Sequence, residues 1–323
     1  MKSPSRRFLI GLLLSAVGVW FAFRGARWGD VGRAVSHLSN PLALLLIPLA
    51  GLVEYALRTE RWRLMAGISP TGRLALFPIV AGSFFINNVL PFRAGEAARV
   101  YWTHREKGRP LGEVVGALAL DRAADVAALA LLTLILVAVA PQTGLLSGRS
   151  ALILLGAAVI GTGLLLILGR DSFSTIRKRW LPESAQRFLL GLSTAATALG
   201  RPGVLTRTIL LSAGVWALNV ALDRAIADLF GLDLSWAESG WFLVALAAGV
   251  ALPSSPGYIG TFEAAGVGAL VLLGRDPVAS LSFVVVLHAG QIFGSAIWGG
   301  PGLWRRGRPG AGAAPANVIK SAP

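Results

Sequence analysis

Between residues 8 and 300 the chain returns repeatedly to apolar runs of bilayer length, separated by short basic loops. A spanning helix needs about 20 predominantly apolar residues, and candidate runs lie at 8–23, 41–57, 74–90, 114–140, 151–169, 209–230, 240–252, 257–273 and 279–300. The backbone inside lipid must satisfy its own hydrogen bonds, so such runs become helices packed on one another. The fold class expected is therefore an all-α integral membrane protein, a polytopic bundle of about seven to nine hydrophobic segments occupying residues 1–304. Composition agrees, since 14% charged residues falls well below the roughly 25% of soluble domains and leaves no polar block for a separate catalytic domain. The first run follows two arginines and resembles a signal peptide, but its bulky end at residues 20–23 lacks a small-residue cleavage site, so a retained anchor is expected.

The basic residues set the orientation. With the N-terminus cytoplasmic and 74–90 entering and leaving on one side, 23 of the 30 Lys and Arg fall in inner segments and six in outer ones, with Arg122 embedded. A spanning 74–90 would put the basic 169–207 loop outside, against the positive-inside bias, so that segment is expected to be re-entrant. Both termini then face the cytoplasm across the plasma membrane, and the Gly-, Ala- and Pro-rich tail at 305–323 should be disordered. A net charge of +14 does not indicate nucleic acid, because the charges sit in short loops rather than on one soluble face. Anionic lipid headgroups are the expected partner. Zero Cys excludes disulfides and thiolate chemistry, the three His at 37, 104 and 288 are scattered, and neither a phosphate-binding loop nor a zinc spacing occurs. No metal and no cofactor is assigned.

Charges inside apolar runs cost about 2.5–3.5 kcal/mol each on insertion scales and need partners or water. Glu54 precedes "RTERWR", where Arg58, Arg61 and Arg63 read as snorkelling lipid-interface anchors and Trp62 as part of an aromatic belt. In "LALDRAAD", Asp121, Arg122 and Asp125 lie in a helix starting after Pro110, roughly 13–22 Å deep at about 1.5 Å per residue. Arg122 then requires a partner from elsewhere, with Glu96 and Glu263 as candidates. The similar "ALDRA" at 221–225 sits near a helix end, where Asp223 and Arg224 reach water, and reads as a stability feature.

Two breaks resemble each other. "NNVLPFRAGEAARV" contains Asn88, Pro91, Arg93, Gly95, Glu96 and Arg99; "GVALPSSPGYIGTFEAAG" contains Pro253, Pro256, Gly257, Gly260 and Glu263. Pro and Gly interrupt helices and free backbone groups, which membrane depth tolerates only where protein or water satisfies them. Two such breaks in matching positions point to a transporter-type site in an inverted-repeat-like arrangement. Three runs separate them, so their mouths should open to opposite faces and their tips should meet.

Together "RTERW", "NNVLPFRAGEAAR", "LDRAAD" and "LPSSPGYIGTFEAA" resemble the transmembrane domain of the lysylphosphatidylglycerol synthase/flippase family over about residues 8–300. The resemblance implies a bundle that moves or handles lipid headgroups. It marks Asn88, Pro91, Arg93, Gly95, Glu96, Arg99, Arg122, Asp125, Pro256, Gly257, Gly260 and Glu263 as motif positions. Nothing after residue 304 reads as the soluble aminoacyltransferase domain of the two-domain synthases. The expected function is flippase-like translocation of a phospholipid or lipid-linked glycan, with Arg93, Glu96, Arg99, Arg122, Asp125 and Glu263 binding the substrate. The alternative is a membrane enzyme or accessory subunit in headgroup transfer, with Glu96, Asp125 or Glu263 as general base; a separate lipid-modifying enzyme is then a candidate partner.

Overall fold

The computed structural model describes residues 28–36, 38, 40–90, 93–139, 182–251 and 256–306, and all the regular elements among them are helical. The runs at 8–23 and 151–169, residues 307–323, Pro91 and Pro253 lie outside the described residues. The α-helices are α1 (Trp28–Ser36), α2 (Leu46–Met65), α3 (Arg73–Val89), α4 (Ala94–Lys107), α5 (Leu111–Val139), α6 (Glu183–Leu199), α7 (Val204–Leu229), α8 (Trp236–Ala251), α9 (Thr261–Leu272) and α10 (Pro277–Arg306).

Local chemistry explains several boundaries. α5 starts directly after Pro110. Before α8, the Glu238 amide donates to Ser235 Oγ at 3.2 Å and the Ser235 amide donates to Glu238 Oε2 at 2.8 Å, a reciprocal capping box. α10 begins with a proline, and Asp276 Oδ1 accepts the Ala279 amide at 2.8 Å, which joins two helix-start signals. α10 continues through Arg306, so Arg305 and Arg306 belong to the bundle and not to the tail.

Among the described residues, five helical segments are long and apolar enough to cross a membrane: Pro41–Met65, Pro70–Val89, Leu111–Val139, Val204–Leu229 and Pro277–Arg306. Large apolar side chains on them point outward, among them Leu49, Val53, Leu131, Leu210 and Phe293, as expected where the solvent is hydrocarbon. Where helices touch, small residues let backbones approach: a Cβ on Gly116 of α5 would fall 2.2 Å from the Gly191 carbonyl oxygen of α6.

The broken segments form two helical hairpins entering from opposite ends of the bundle. α3 runs in and α4 returns along it. A Cβ on Gly95 would fall 1.8 Å from the Ser83 carbonyl oxygen, and at the open end Arg306 grips both Glu106 of α4, at 2.6 Å, and the Pro78 carbonyl of α3, at 3.4 Å. The inward arm is a continuous helix to Val89, so entry and return take residues 73–107, not 74–90 alone. From the other end, α8 runs in and α9 returns. Arg275 closes that mouth, donating to Glu238 at 2.5 Å and to the Asp233 carbonyl at 3.5 Å, while Gly249 and Ala265 pack together near the tip.

The tips meet. Arg93 donates to the Val250 carbonyl at 3.3 Å, and a Cβ on Gly257 would lie 2.9 Å from the Asn88 carbonyl oxygen. α10 passes behind both: Asn88 donates to Ser295 Oγ at 2.8 Å, and the His288 ring nitrogen Nε2 lies 2.8 Å from the Gly257 carbonyl.

Candidate functional site

Three helices bring their charges to one place beside the first hairpin. α2 carries Glu54, Arg58 and Arg61 at helical spacing, α4 carries Glu96 and Arg99, and α5 carries Asp121, Arg122 and Asp125. Each trio or pair spans one helix face, so the three faces close on each other. Asp121 lies at the centre, 2.8 Å from Arg61 Nη2, 2.8 Å from Arg122 Nη2 and 3.2 Å from Arg99 Nη1. Asp125 meets Arg61 at 2.7 Å, Arg58 at 3.2 Å and Arg122 at 3.2 Å. Arg58 also donates through Nε to Glu54 at 2.7 Å, and Arg61 to Ser212 Oγ of α7 at 3.0 Å. Burial makes these links strong and obligatory, since a buried charge without its partner is costly.

The network grades from core to mouth. The Arg61 and Asp121 side chains are 0% and 1% exposed, whereas those of Arg122 and Arg93 are 32% and 41% exposed. Glu96 stands between these last two, 3.5 Å from Arg122 Nη1 and 3.8 Å from Arg93 Nη1. Both contacts are long for charge-assisted hydrogen bonds, which favour about 2.7–2.9 Å. Arg93 itself takes a left-handed backbone, φ 54°, a conformation costing a non-glycine residue about 1–2 kcal/mol; it turns the chain from α3 into α4 and sets the guanidinium against the opposing tip.

The second break holds a different pair. Glu263 Oε2 accepts the Gly260 amide at 2.6 Å, and Glu263 Oε1 lies 2.6 Å from Nδ1 of His288. Nε2 of the same ring faces the Gly257 carbonyl, and Phe262 stacks on the ring at 4.1 Å between centroids. Both ring nitrogens thus face acceptors. Two protons suffice, shared either as imidazolium with carboxylate or as imidazole with carboxylic acid, and the unit is neutral in both forms. Its role here is to close the turn from Pro256 through Gly257 and Gly260 into α9.

Several sequence expectations change. Arg58, Arg61, Trp62 and Arg63 are not interface anchors: Trp62 is fully buried, donating to Thr103 Oγ1 at 3.1 Å, and Arg63 is held by Glu60 at 2.7 Å and the Ile68 carbonyl at 2.9 Å. The reason is that Asp121 and Asp125 draw the arginine face of α2 inward. Arg99 is likewise only 2% exposed, stacked 4.6 Å over Trp62, so it braces the network and does not face a headgroup. Arg122 meets Glu96 as expected, but Glu263 is committed to His288. Asp223 does not reach water, being 1% exposed. Asn88 lies inside the last turn of α3 and Gly95 inside the first turn of α4, so neither interrupts a helix; with Gly257 they make close contacts at the hairpin tips. Missed by sequence reasoning was His288, whose only signal was a lone imidazole in an apolar run.

Against known proteins, no curated protein and no solved structure matches the chain. A protein-family comparison does: the profile described as the lysylphosphatidylglycerol synthase TM region matches residues 8–299. That match covers nearly the whole chain, including both hairpins and the charged faces between them, and the protein belongs to this family of multi-pass membrane proteins.

Proposed function

We propose that the chain translocates a phospholipid or lipid-linked headgroup between leaflets, taking its phosphate at Arg93 and Arg122. The observation that carries this reading is Glu96. It stands between two part-exposed guanidinium groups and pairs loosely with both. A phosphate has the charge and the acceptor oxygens to replace it, with bidentate geometry that a single carboxylate at 3.5–3.8 Å does not achieve. Behind it, Arg58, Arg61 and Arg99 stay matched by Glu54, Asp121 and Asp125, so exchange at the mouth does not uncover a charge in the core. The acyl chains remain in lipid while the headgroup moves along the meeting tips.

The alternative of headgroup transfer chemistry draws less support. A general base needs a carboxylate free to take a proton; Asp125 is shared by three arginines, both oxygens of Glu263 are occupied, and Glu96, the third candidate, stands between the guanidinium groups of Arg93 and Arg122.

The test is reconstitution of the full chain into vesicles of phosphatidylcholine with fluorescent phosphatidylglycerol, reading leaflet exchange by quenching from outside. Wild type should exchange the probe, Arg93→Lys should slow it about tenfold because a point charge replaces a fork, and Glu96→Gln should bind phosphatidylglycerol more tightly. Equal exchange by wild type, Arg93→Lys and empty vesicles would refute the proposal.

A further inference from the structure

A cavity of about 240 Å³ lies on the other side of Arg58, between α2, α7, α8, α10 and the two tips. Its wall on α7 carries Asn219 and Asp223, one turn apart. Asp223 is 1% exposed, and no hydrogen bond reaches its buried Oδ2. Asn219 donates its amide N–H to the Val215 carbonyl at 2.9 Å, which leaves its oxygen for the cavity. Facing them from α2 is Glu54, one oxygen of which is held by Arg58.

The charges around this space can be counted. Arg58 is drawn away by Glu54 and Asp125, and His288 is locked between Glu263 and the Gly257 carbonyl. Among the described residues, the remaining titratable groups on the lining are the phenols of Tyr55 and Tyr258; α8 contributes only apolar side chains, and α5 and α6, which also pack on α7, contribute none. Among the described residues one carboxylate is therefore left without a counter-charge, and an isolated buried carboxylate is among the most costly groups a protein can hold. A single positive charge balances it. A divalent ion fits poorly, since such ions draw on several carboxylates and among the described residues no cluster of three or more His, Cys, Asp or Glu is placed to hold a metal ion.

We propose that this wall binds one monovalent cation, sodium or a proton, with Asp223 as its counter-charge and the oxygens of Asn219 and Glu54 completing the site. The same cavity is bounded by tip residues Asn88, Val250 and Tyr258, so binding and release of the cation are placed to bias which mouth is open. The inference goes beyond headgroup translocation and is tested without measuring transport.

The experiment is thermal unfolding of the purified full chain in a neutral detergent, titrating sodium chloride against N-methylglucamine chloride at constant ionic strength, and separately titrating pH in N-methylglucamine. Wild type should show a saturable rise in Tm with sodium, or, if the cation is a proton, a pH response that sodium does not alter; Asp223→Asn should lose whichever response wild type shows. Equal responses to both titrations in wild type and Asp223→Asn overturn the proposal. If Asp223→Asn does not fold, Asn219→Ala replaces it: a weakened sodium or pH response supports the site, and an unchanged one overturns it.

Discussion

Asp121 is surrounded by three arginines and has almost no contact with solvent, so its replacement tests whether the network is a structural post. Asp121→Asn keeps the shape but removes the charge that Arg61 and Arg99 need. A stability loss of about 3–5 kcal/mol is expected from breaking a buried pair on one side, read as a fall in the unfolding midpoint in denaturant; a loss below about 1 kcal/mol would show that water reaches the site. Arg61→Lys should be nearly as harmful, because one ammonium cannot span Asp121, Asp125 and Ser212 as the guanidinium does. Little of this was legible in the sequence. Arg122 announced its need for a partner by its depth, but Arg58 and Arg61 sit beside loop residues in a segment followed by a basic end, and the same pattern describes an anchor. What turns them inward is a pair of carboxylates 60 or more residues away, and local reading carries no information over that distance.

At the scale of elements, the hairpins depend on close contact between their arms. Gly95→Ala would force Cβ into the Ser83 carbonyl, and separating α4 from α3 should cost about 1–3 kcal/mol in stability while shifting Arg93 and Glu96 together; the check is a lowered Tm accompanied by weaker phosphatidylglycerol binding. His288→Phe keeps an aromatic ring for Phe262 to stack on but strands Glu263 and the Gly257 carbonyl. Hydrogen exchange at the Gly260 amide and its neighbours should then accelerate, with exchange in α2 and α5 unchanged. The breaks themselves were readable, since Pro and Gly in an apolar run declare an interrupted helix without reference to anything distant. The first return arm was less so: α4, with its run of charges, reads as a loop and folds as a helix because Gly95 lets it lie against α3. His288 appeared isolated because its partners lie 25 and 31 residues earlier, on the second hairpin.

For the whole molecule, the basic residues Arg73, Arg105, Lys107, Arg109, Arg305 and Arg306 gather with Glu106 and Glu113 at the end where the first hairpin opens, and Arg275 with Asp233, Glu238 and Asp276 at the end where the second opens. From the short-loop charge bias we predict that the first end faces the cytoplasm. The chain has no Cys, so single cysteines can be placed at will: Thr71→Cys and Arg109→Cys should label only from the cytoplasmic side, and Trp236→Cys and Asp276→Cys only from the other. Labelling of Thr71→Cys and Asp276→Cys from one side would reject the opposed arrangement. That arrangement also bears on voltage. Each hairpin arm is 12 to 17 residues long, or about 18–26 Å at 1.5 Å per residue, and described residues of the two tips lie within a few ångströms of each other, Arg93 against Val250 and Asn88 against Gly257. If water fills both mouths, the membrane potential falls almost entirely across those few ångströms. A charge displaced there by the width of one side chain then experiences most of the field, about 2.3 kcal/mol per elementary charge per 100 mV, and headgroup exchange should steepen with applied potential although nothing in the protein travels far.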